Sequence, residues 1–553
     1  MPEQPPSRSN DPNHPYAGRW VARLKGRTIG QGGTPEQARQ AAKASRFKEK
    51  PEITFMPTNN SLTFSPLLDQ VQDILKKEKD VYLVGGAVRD ALLGRASKDL
   101  DFALPGDALR TARRVANKMG GSYYRLDDEH QAGRVVLNLD DGQYYVLDFA
   151  KFRGDTLDAD LRGRDFSINA MAVALQQPQQ LLDPLAGMAD LQAKKLNMCS
   201  PASLQDDPLR ILRAVRFAAN LDLKIEPNTR RAMRTAVESL PGVSPERQRD
   251  ELFRILASPR PAASLRALDI LGALEKVLPE IASLKGVEQS PPHVYDVWEH
   301  TLQTVSYLEK ILAALDAEYD PDTAAELHTA MVVLRLGRYR EQISSHLDQR
   351  LNRERPLRPL VFLAALYHDI AKPLTRSVEE DGRIRFLDHE NQGAPIASRR
   401  ASKLRLSGEE RHHLTAIVRN HMRPRNLAHE VRPPSRRAIY RFFRDTGQAG
   451  VDACLLSVAD LLATYAATMK KERLEAQLDV VRAMLEAYWE MPDQVVYPPA
   501  LIDGDELMKE FKLKPGPLVG RLLDAIREAQ AGGDVHTKGD ALKLAEDWLA
   551  DNV

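Results

Sequence analysis

Val84-Gly85-Gly86-Ala87-Val88-Arg89-Asp90, followed by Asp99-Leu100-Asp101-Phe102, is the stretch on which the fold of this chain turns. Val81 to Val84 is a β-branched and aromatic run, which favours a strand. Gly85 and Gly86 end it, and Ala87 to Leu93 reads as a helix stopped by Gly94. Glycines between a strand and a helix let the backbone approach a phosphate closely, beside the positive end of the helix dipole. Asp99 and Asp101 stand at i and i+2, on a second short strand over Leu100 to Ala103. Residues so spaced on a strand point to one face. Two hard oxygen ligands on one face suit Mg²⁺, and two-metal sites place their ions about 4 Å apart. Gln143 to Phe149 reads as a third strand, whose Asp148 could add a carboxylate. A lone Gly-Gly is usually a turn, and a lone Asp-x-Asp usually a solvated strand end. Their order, with strand, turn and helix around them, is what points to chemistry.

Two further blocks follow. Arg164-Asp165-Phe166-Ser167-Ile168-Asn169 sets a base, an acid and an amide at helical spacing. It could hold a ribose and triphosphate, or simply cap a helix. In Asp206-Asp207-Pro208-Leu209-Arg210-Ile211-Leu212-Arg213-Ala214-Val215-Arg216-Phe217, proline suits a first helical turn. Asp207, Arg210, Arg213 and Arg216 then recur every three residues, opposite leucines and Phe217. Taken alone, that is an amphipathic helix with a basic face.

The surrounding chain sets the limits. Its 553 residues suggest three or four domains at roughly 150 residues each. Lys+Arg number 78 and Asp+Glu 77, so net charge alone neither requires nor excludes a nucleic-acid partner. Two cysteines, Cys199 and Cys454, exclude a disulfide scaffold and a Cys-rich zinc module. The longest apolar run noted, Leu360 to Tyr367, falls short of the ~18 residues that span a bilayer. With no apolar leader in Met1 to Asn13, the expectation is a cytoplasmic protein without membrane contact.

Residues 1–15 carry five prolines and read as a disordered tail. Residues 16–50 read as a small basic ββα module, with strands over Arg19 to Arg27 and Thr28 to Gln31 and a helix from Thr34 to about Phe47. Residues 60–176 read as a mixed α/β head. Apolar spacing of three and four then dominates, giving a helical neck over 177–288, a second helical domain over 289–485 and a helical tail over 486–553. An insert near 313–356 is rich in charge and lacks motif signals. Residues 401–440 carry nine Lys/Arg against three Asp/Glu; with Tyr440, Phe442 and Phe443 they read as an RNA-facing stripe or a solvated basic face.

The second helical domain carries its own constellation: His300, His368-Asp369, His389, His421 and Asp460. Histidine and carboxylate ligands together suit a transition metal or Mg²⁺. The doublet on a helix end, with His300 upstream and Asp460 downstream, resembles the HD superfamily of metal-dependent phosphohydrolases. His389 and His421 are further candidate ligands.

The head and neck blocks resemble class II tRNA nucleotidyltransferases, the CCA-adding enzymes and their poly(A) polymerase relatives. Val84 to Asp90 with Asp99 to Asp101 is similar to the family's catalytic motif, and Gly163 to Ala172 to its ribose motif. Asp183 to Leu191 is similar to the neck hinge, Asp206 to Phe217 to the base-selecting helix, and Ser244 to Leu256 to the last motif. The resemblance implies an α+β architecture: a small mixed-sheet, polymerase β-like nucleotidyltransferase head, then all-α neck, HD and tail domains. It implies Asp99 and Asp101 as Mg²⁺ ligands and catalytic residues. Gly85, Gly86, Arg89, Arg164, Asp165, Asn169, Asp207, Arg210, Arg213 and Arg216 would bind nucleotide. It also implies template-independent addition of CMP and AMP, from CTP and ATP, to tRNA.

A protein template must then separate C and A from U and G. Asp207 can accept from the exocyclic amine, and Arg210 can donate to the neighbouring ring acceptors. Uracil and guanine present a carbonyl where the amine should be. Gly163 stands where many members have a second arginine, and Asp206 where glutamate is usual. The stretch from Asp148 to Asp165 is short, whereas members that add all three nucleotides usually have a longer loop there. The rivals are A-addition alone, poly(A) tailing, or an HD phosphohydrolase with an RNA-binding head. The HD centre would take a divalent metal (Mg, Mn, Ni or Co). Oligomeric state is not legible.

Overall fold

The computed structural model describes residues 19–24, 27–32, 41–42, 51–56, 62–127, 131–138, 144–317, 326–352, 354–430 and 433–552. The expected tail over 1–15 and most of the expected helix over 34–47 lie outside them. The chain divides into two compact units: residues 1–210 with 222–232, and residues 211–221 with 233–553.

In the first unit, β1 (Arg19–Leu24) pairs antiparallel with β2 (Arg27–Gly32), the expected hairpin. A third strand, β3 (Glu52–Met56), pairs with the other edge of β1. The ββα reading ends at residue 50 and so does not include it.

The head is built on a seven-stranded mixed sheet. Its strands are β4 (Tyr82–Val84), β5 (Asp99–Leu104), β6 (Ser122–Asp127), β7 (Ala132–Asn138), β8 (Tyr144–Lys151), β9 (Ala172–Ala174) and β10 (Gln177–Leu182), in the order β10-β9-β4-β5-β8-β7-β6. Only β5 and β8 run parallel; the other pairs are antiparallel. The expected head boundary at 176 falls inside the β9–β10 hairpin, so the sheet continues to Leu182.

Alternation along β5 decides which face does chemistry. Leu100 and Phe102 are buried, while Asp99 and Asp101 are exposed. Leu100 and Phe102 join Leu83, Leu147 and Phe149 in one core, where the rings of Phe102 and Phe149 stack with centroids 4.7 Å apart. The helix Ala108–Met119 adds Ala112 and Val115 to that core. Asp107 caps its start by accepting from Arg110 N at 2.9 Å, and Gly120 ends it at φ 68°. Each fully buried leucine or phenylalanine contributes about 1.5–3 kcal/mol, so a one-residue slip of β5 would expose the core and bury both aspartates.

Among its described residues the second unit is helical apart from one short hairpin, Arg376–Val378 with Ile384–Phe386, and an isolated bridge between Arg350 and Pro356. Its central helices are buried nearly all round: every residue from Pro359 to Tyr367, and every residue from Ala449 to Thr464. The segment Ala449–Thr468 is long and apolar enough to cross a membrane by length and composition, which the sequence reading overlooked. It is 94% buried inside the protein. Tyr440, Phe442 and Phe443 are buried as well, so they are core residues and not a stacking surface for bases. The tail packs a cluster of its own around Leu507, Leu522, Ile526 and Ala541.

Candidate functional site

The head site assembles from four segments of the first unit. Asp101 lies opposite Val84 in the β4–β5 register and opposite Asp148 in the β5–β8 register. Gly85 follows β4 at φ 75°, a conformation that favours glycine. A Cβ there would lie 3.0 Å from Arg164 Nη1 and 3.7 Å from Asp101 Oδ2. The glycine therefore permits both the turn and the closeness of this cation to the carboxylate. Asp148 shares the row with Asp101, but Arg134 Nε and Nη2 bind its two oxygens at 2.8 Å each.

The ribose-type block is tied to the first motif. Asp165 Oδ1 accepts from Phe166 N at 2.8 Å and from Asn169 Nδ2 at 3.1 Å, which holds the single 3₁₀ turn Ser167–Asn169. Asn169 Oδ1 accepts from Arg89 Nη1 at 2.6 Å. Arg89 also pairs with Asp90 at 2.8 Å. Asp165 and Asn169 are each 5% exposed.

Arg164 is aimed by Asp160, which accepts its Nε at 3.1 Å and is itself buried. The short stretch before it is ordered as the helix Leu157–Arg162, with Thr156 capping Ala159 N at 3.2 Å. Arg210 donates from Nη1 to the carbonyls of Arg164 (3.1 Å) and Ser203 (3.2 Å), and from Nη2 to Gly163 (3.0 Å). Arg153, which the sequence reading missed, donates to the Gly163 carbonyl at 3.3 Å. Burial, and then the charges of Arg164 and Arg210, hold its guanidinium below the usual arginine range. The same surroundings push the Cys199 thiol up to about 12, burial first and then Asp165. No motif marks Arg153; its signal was a basic residue just past the third strand.

Asp207 requires a correction. The helix starts at Arg210 (Arg210–Leu221), and Asp207 precedes it in extended conformation, φ −141° and ψ 93°. Its backbone carbonyl accepts Arg210 N at 3.0 Å and its Oδ1 accepts Leu209 N at 3.3 Å. The two residues are joined by a turn, not by one helical face. Arg213 and Arg216 belong to the second unit, where both face the buried Glu251 at 3.6 and 2.7 Å. Their guanidiniums are engaged on a carboxylate of the helix Pro245–Leu256.

The HD residues converge in the second unit. His300 comes from the helix Val297–Ala314, His368 and Asp369 follow Leu357–Tyr367, and His389 opens His389–Lys403. His421 follows Gly408–Asn420, and Asp460 lies on Ala449–Tyr465. All six are buried. His300 Nε2 lies 3.0 Å from Asp460 Oδ1 and 3.3 Å from Asp369 Oδ2. Burial opposes the charge of Asp369, yet His368 and Lys372 hold its carboxyl well below the usual range. Asp460 is held low against burial by His300 and Arg425. His293, its ring 5.3 Å from His300, is pushed down to about 3 by burial and then by Lys372 and His300. Lys372 Nζ stands 2.7 Å from Asp369, and Arg425 Nη1 3.3 Å from Asp460. The sequence reading named neither cation; Lys372 follows Asp369 by three residues.

Three family models match the chain: the poly A polymerase head domain over 81–197, the probable RNA and SrmB-binding site of polymerase A over 222–285, and the HD domain over 297–465. An A-adding tRNA nucleotidyltransferase of Deinococcus radiodurans is 32% identical over 84% of this chain and 95% of its own length. A CC-adding tRNA nucleotidyltransferase of Thermus thermophilus is 34% identical over 85% of this chain and 94% of its own. A multifunctional CCA protein of Xanthomonas campestris is 32% identical over 63% of this chain and 76% of its own. The fold is shared with solved CCA-adding enzymes. One complexed with CTP has a TM-score of 0.55 at 20% identity, covering 87% of this chain and 94% of that one. The Thermotoga maritima enzyme complexed with tRNA has 0.52 at 20% identity, covering 89% and 97%. The chain belongs to the tRNA nucleotidyltransferases, a metal-dependent family, and carries an HD domain.

Proposed function

We propose that the chain adds CMP and AMP, from CTP and ATP, to the 3′ end of tRNA and so completes its CCA terminus. One observation carries the reading: Asp99 and Asp101 are exposed on one face of β5, and Asp101 lies beside a glycine turn on which Arg164 converges. The donor set fits Mg²⁺, because both ligands are hard oxygens on one strand face. Magnesium held by Asp99 and Asp101 would supply activation of the tRNA 3′-hydroxyl and charge relief at the leaving pyrophosphate.

The chain's own groups do the rest. Gly85 and Gly86 leave room for a triphosphate against the backbone. Arg89, Arg153 and Arg164 supply charge-assisted hydrogen bonds to its oxygens. An incoming anion also relieves the repulsion that Arg153 suffers from Arg164 and Arg210. The relay from Asp165 through Asn169 to Arg89 fixes the guanidinium before nucleotide arrives. Arg210 commits three N–H groups to carbonyls and keeps two for a base, while Asp207 offers the acceptor beside it. In the HD centre, buried imidazoles and carboxylates support binding of a divalent metal and hydrolysis of a phosphoester, such as a 2′,3′-cyclic phosphate at an RNA end.

Coverage favours a second reading, partial addition of CC or of A alone. The A-adding and CC-adding relatives match along 95% and 94% of their lengths, the multifunctional CCA protein along 76%. The test offers tRNAs ending before C74, after C75, or complete, together with a generic RNA, and one labelled nucleotide at a time with Mg²⁺. CMP and AMP incorporation that stops at CCA supports the first reading. AMP only on the CC end, or CMP only, supports the second. Long A tails on any RNA, or no incorporation, overturn both.

A further inference from the structure

We propose that the face of the head sheet beyond the catalytic strand, formed by β8, β7 and β6, seats the single-stranded 3′ end of the RNA substrate, with Tyr124 and Tyr144 stacking on its bases. The inference rests on the reading that Asp99 and Asp101 carry nucleotidyl transfer, and concerns how the RNA end reaches them.

The strand register makes this face continuous with the carboxylates. Asp101 lies opposite Asp148, Asp148 opposite Arg134, and Arg134 opposite Tyr124, in one row across four strands. Cross-strand partners share a face. The neighbouring row carries Asp99, Val146, Val136 and Ser122. Tyr144 stands two residues before Val146 on β8, the strand beside β5, and so points the same way. The other face is the core: Val135, Leu137, Leu147 and Phe149 are buried in it, and Tyr123 and Tyr145 pack against it. Tyr124 and Tyr144 alternate with those residues and are 53% and 52% exposed. Exposed apolar side chains scattered singly need no explanation. Two aromatic rings on the face that begins at the catalytic carboxylates call for one. With strands roughly 4.8 Å apart, Tyr124 stands about 14 Å along the row from Asp101, within the reach of a few nucleotides.

The placement of charge decides which way the RNA runs. Arg89 and Arg164 gather at the glycine turn, on the β4 side of β5. A triphosphate held there releases its pyrophosphate on that side. The attacking and leaving oxygens of phosphoryl transfer stand roughly in line. The 3′-hydroxyl therefore approaches from the opposite side, that of β8, and the nucleotides behind it cross the face that carries the two tyrosines. Asp148 on this path would repel a phosphate backbone, but Arg134 Nε and Nη2 donate to its two oxygens at 2.8 Å each and cancel its charge. Exposed aromatic rings on a sheet are a recurring platform for unpaired RNA bases. Such stacking tolerates any base, because every base has a π face. An enzyme that serves many tRNAs needs that tolerance at the nucleotides it does not add.

The test measures steady-state extension of tRNA lacking its CCA end by the full-length wild type, by Tyr124→Ala and Tyr144→Ala, and by Tyr124→Phe and Tyr144→Phe, with RNA and nucleotide titrated separately. KM for tRNA should rise roughly five- to a hundredfold in each alanine variant, the worth of one base stack. KM for nucleotide and the melting temperature should hold, and the phenylalanine variants should keep the wild-type KM for tRNA. Alanine variants that both match the wild type overturn the platform and leave the transfer reading standing. So does an effect confined to KM for nucleotide, or one confined to the mass of the particle in solution, which would assign the face to a second copy of the chain. A wild type that extends no RNA overturns the transfer reading and the platform with it.

Discussion

Arg89 and Asn169, eighty residues apart in the chain, meet through a 2.6 Å hydrogen bond from the guanidinium to the amide oxygen. The bond joins the glycine turn to the 3₁₀ turn that Asp165 braces through Phe166 N and Asn169 Nδ2. Two segments that each read weakly in sequence thereby become one site.

Asn169→Ala removes that link, while the Arg89–Asp90 pair stays. Losing a hydrogen bond to a charged group costs about 1.5–3 kcal/mol, or roughly 10–100-fold. We expect kcat/KM for the nucleotide to fall by that amount, mostly through KM, with some loss of thermal stability because Asn169 Nδ2 also donates to the buried Asp165. Steady-state kinetics with CTP and ATP check it.

Gly85→Ala strains the backbone at φ 75° and sets a methyl 3.0 Å from Arg164 Nη1. With ψ at −130° this backbone lies outside the left-handed α region and costs an alanine about 1–3 kcal/mol, and the displaced guanidinium adds a functional loss. Transfer should drop by at least about tenfold. Manganese binding by the HD domain should be unaffected, which separates a local effect from unfolding.

Arg153→Ala removes one of three clustered guanidiniums. Arg164 and Arg210 lie close enough to depress Arg153, though burial is the larger cause. Relief of that repulsion should leave stability unchanged or slightly raised. KM for nucleotide should rise roughly tenfold through loss of a charge-assisted contact. Paired melting and kinetic measurements distinguish this trade from simple destabilisation.

A second buried cluster shares two helices with the HD site, Gly408–Asn420 with His413 and Ala449–Tyr465 with Asp452, and takes His346 from Arg340–Asp348. Asp452 sits 3.0 Å from His346 and 2.5 Å from His413. Against burial, His346 and His413 hold Asp452 far below the carboxylate range, and Asp452 raises His346. The depressed Asp452 stabilises fully above about pH 4 and loses this as pH falls towards its folded value. The raised His346 stabilises fully below about pH 6.5 and loses this as pH climbs through its folded value. Stability from the cluster should therefore peak between those limits. Asp452→Asn should cost about 3–5 kcal/mol there and flatten the pH profile of thermal unfolding.

What the sequence disclosed follows from how local each signal is. The alternation of Asp99, Leu100, Asp101 and Phe102 already separates a core face from a chemical face, and the structure keeps that division. The HD residues were legible because the His368-Asp369 doublet comes with His300 upstream and Asp460 downstream in an all-helical setting. The helix start before Arg210 was misjudged: proline at 208 fits a first turn, but the chain is still extended at Asp207. The roles of Arg213 and Arg216 were obscured because Glu251 is distant in sequence and nothing in their own block names it as their partner. The His346–Asp452–His413 cluster escaped notice for the same reason, since three helices supply one residue each.

The central claim is that Asp99 and Asp101 carry nucleotidyl transfer. The most direct measurement is incorporation of labelled CMP and AMP into tRNA lacking its CCA end, by the wild-type chain and by Asp101→Ala, in Mg²⁺. We predict extension by the wild type and a loss of at least about 10³-fold in the variant, in a range typical of removing a main transition-state contact, with unchanged thermal unfolding. An Asp101→Ala chain that extends tRNA at the wild-type rate would contradict the account.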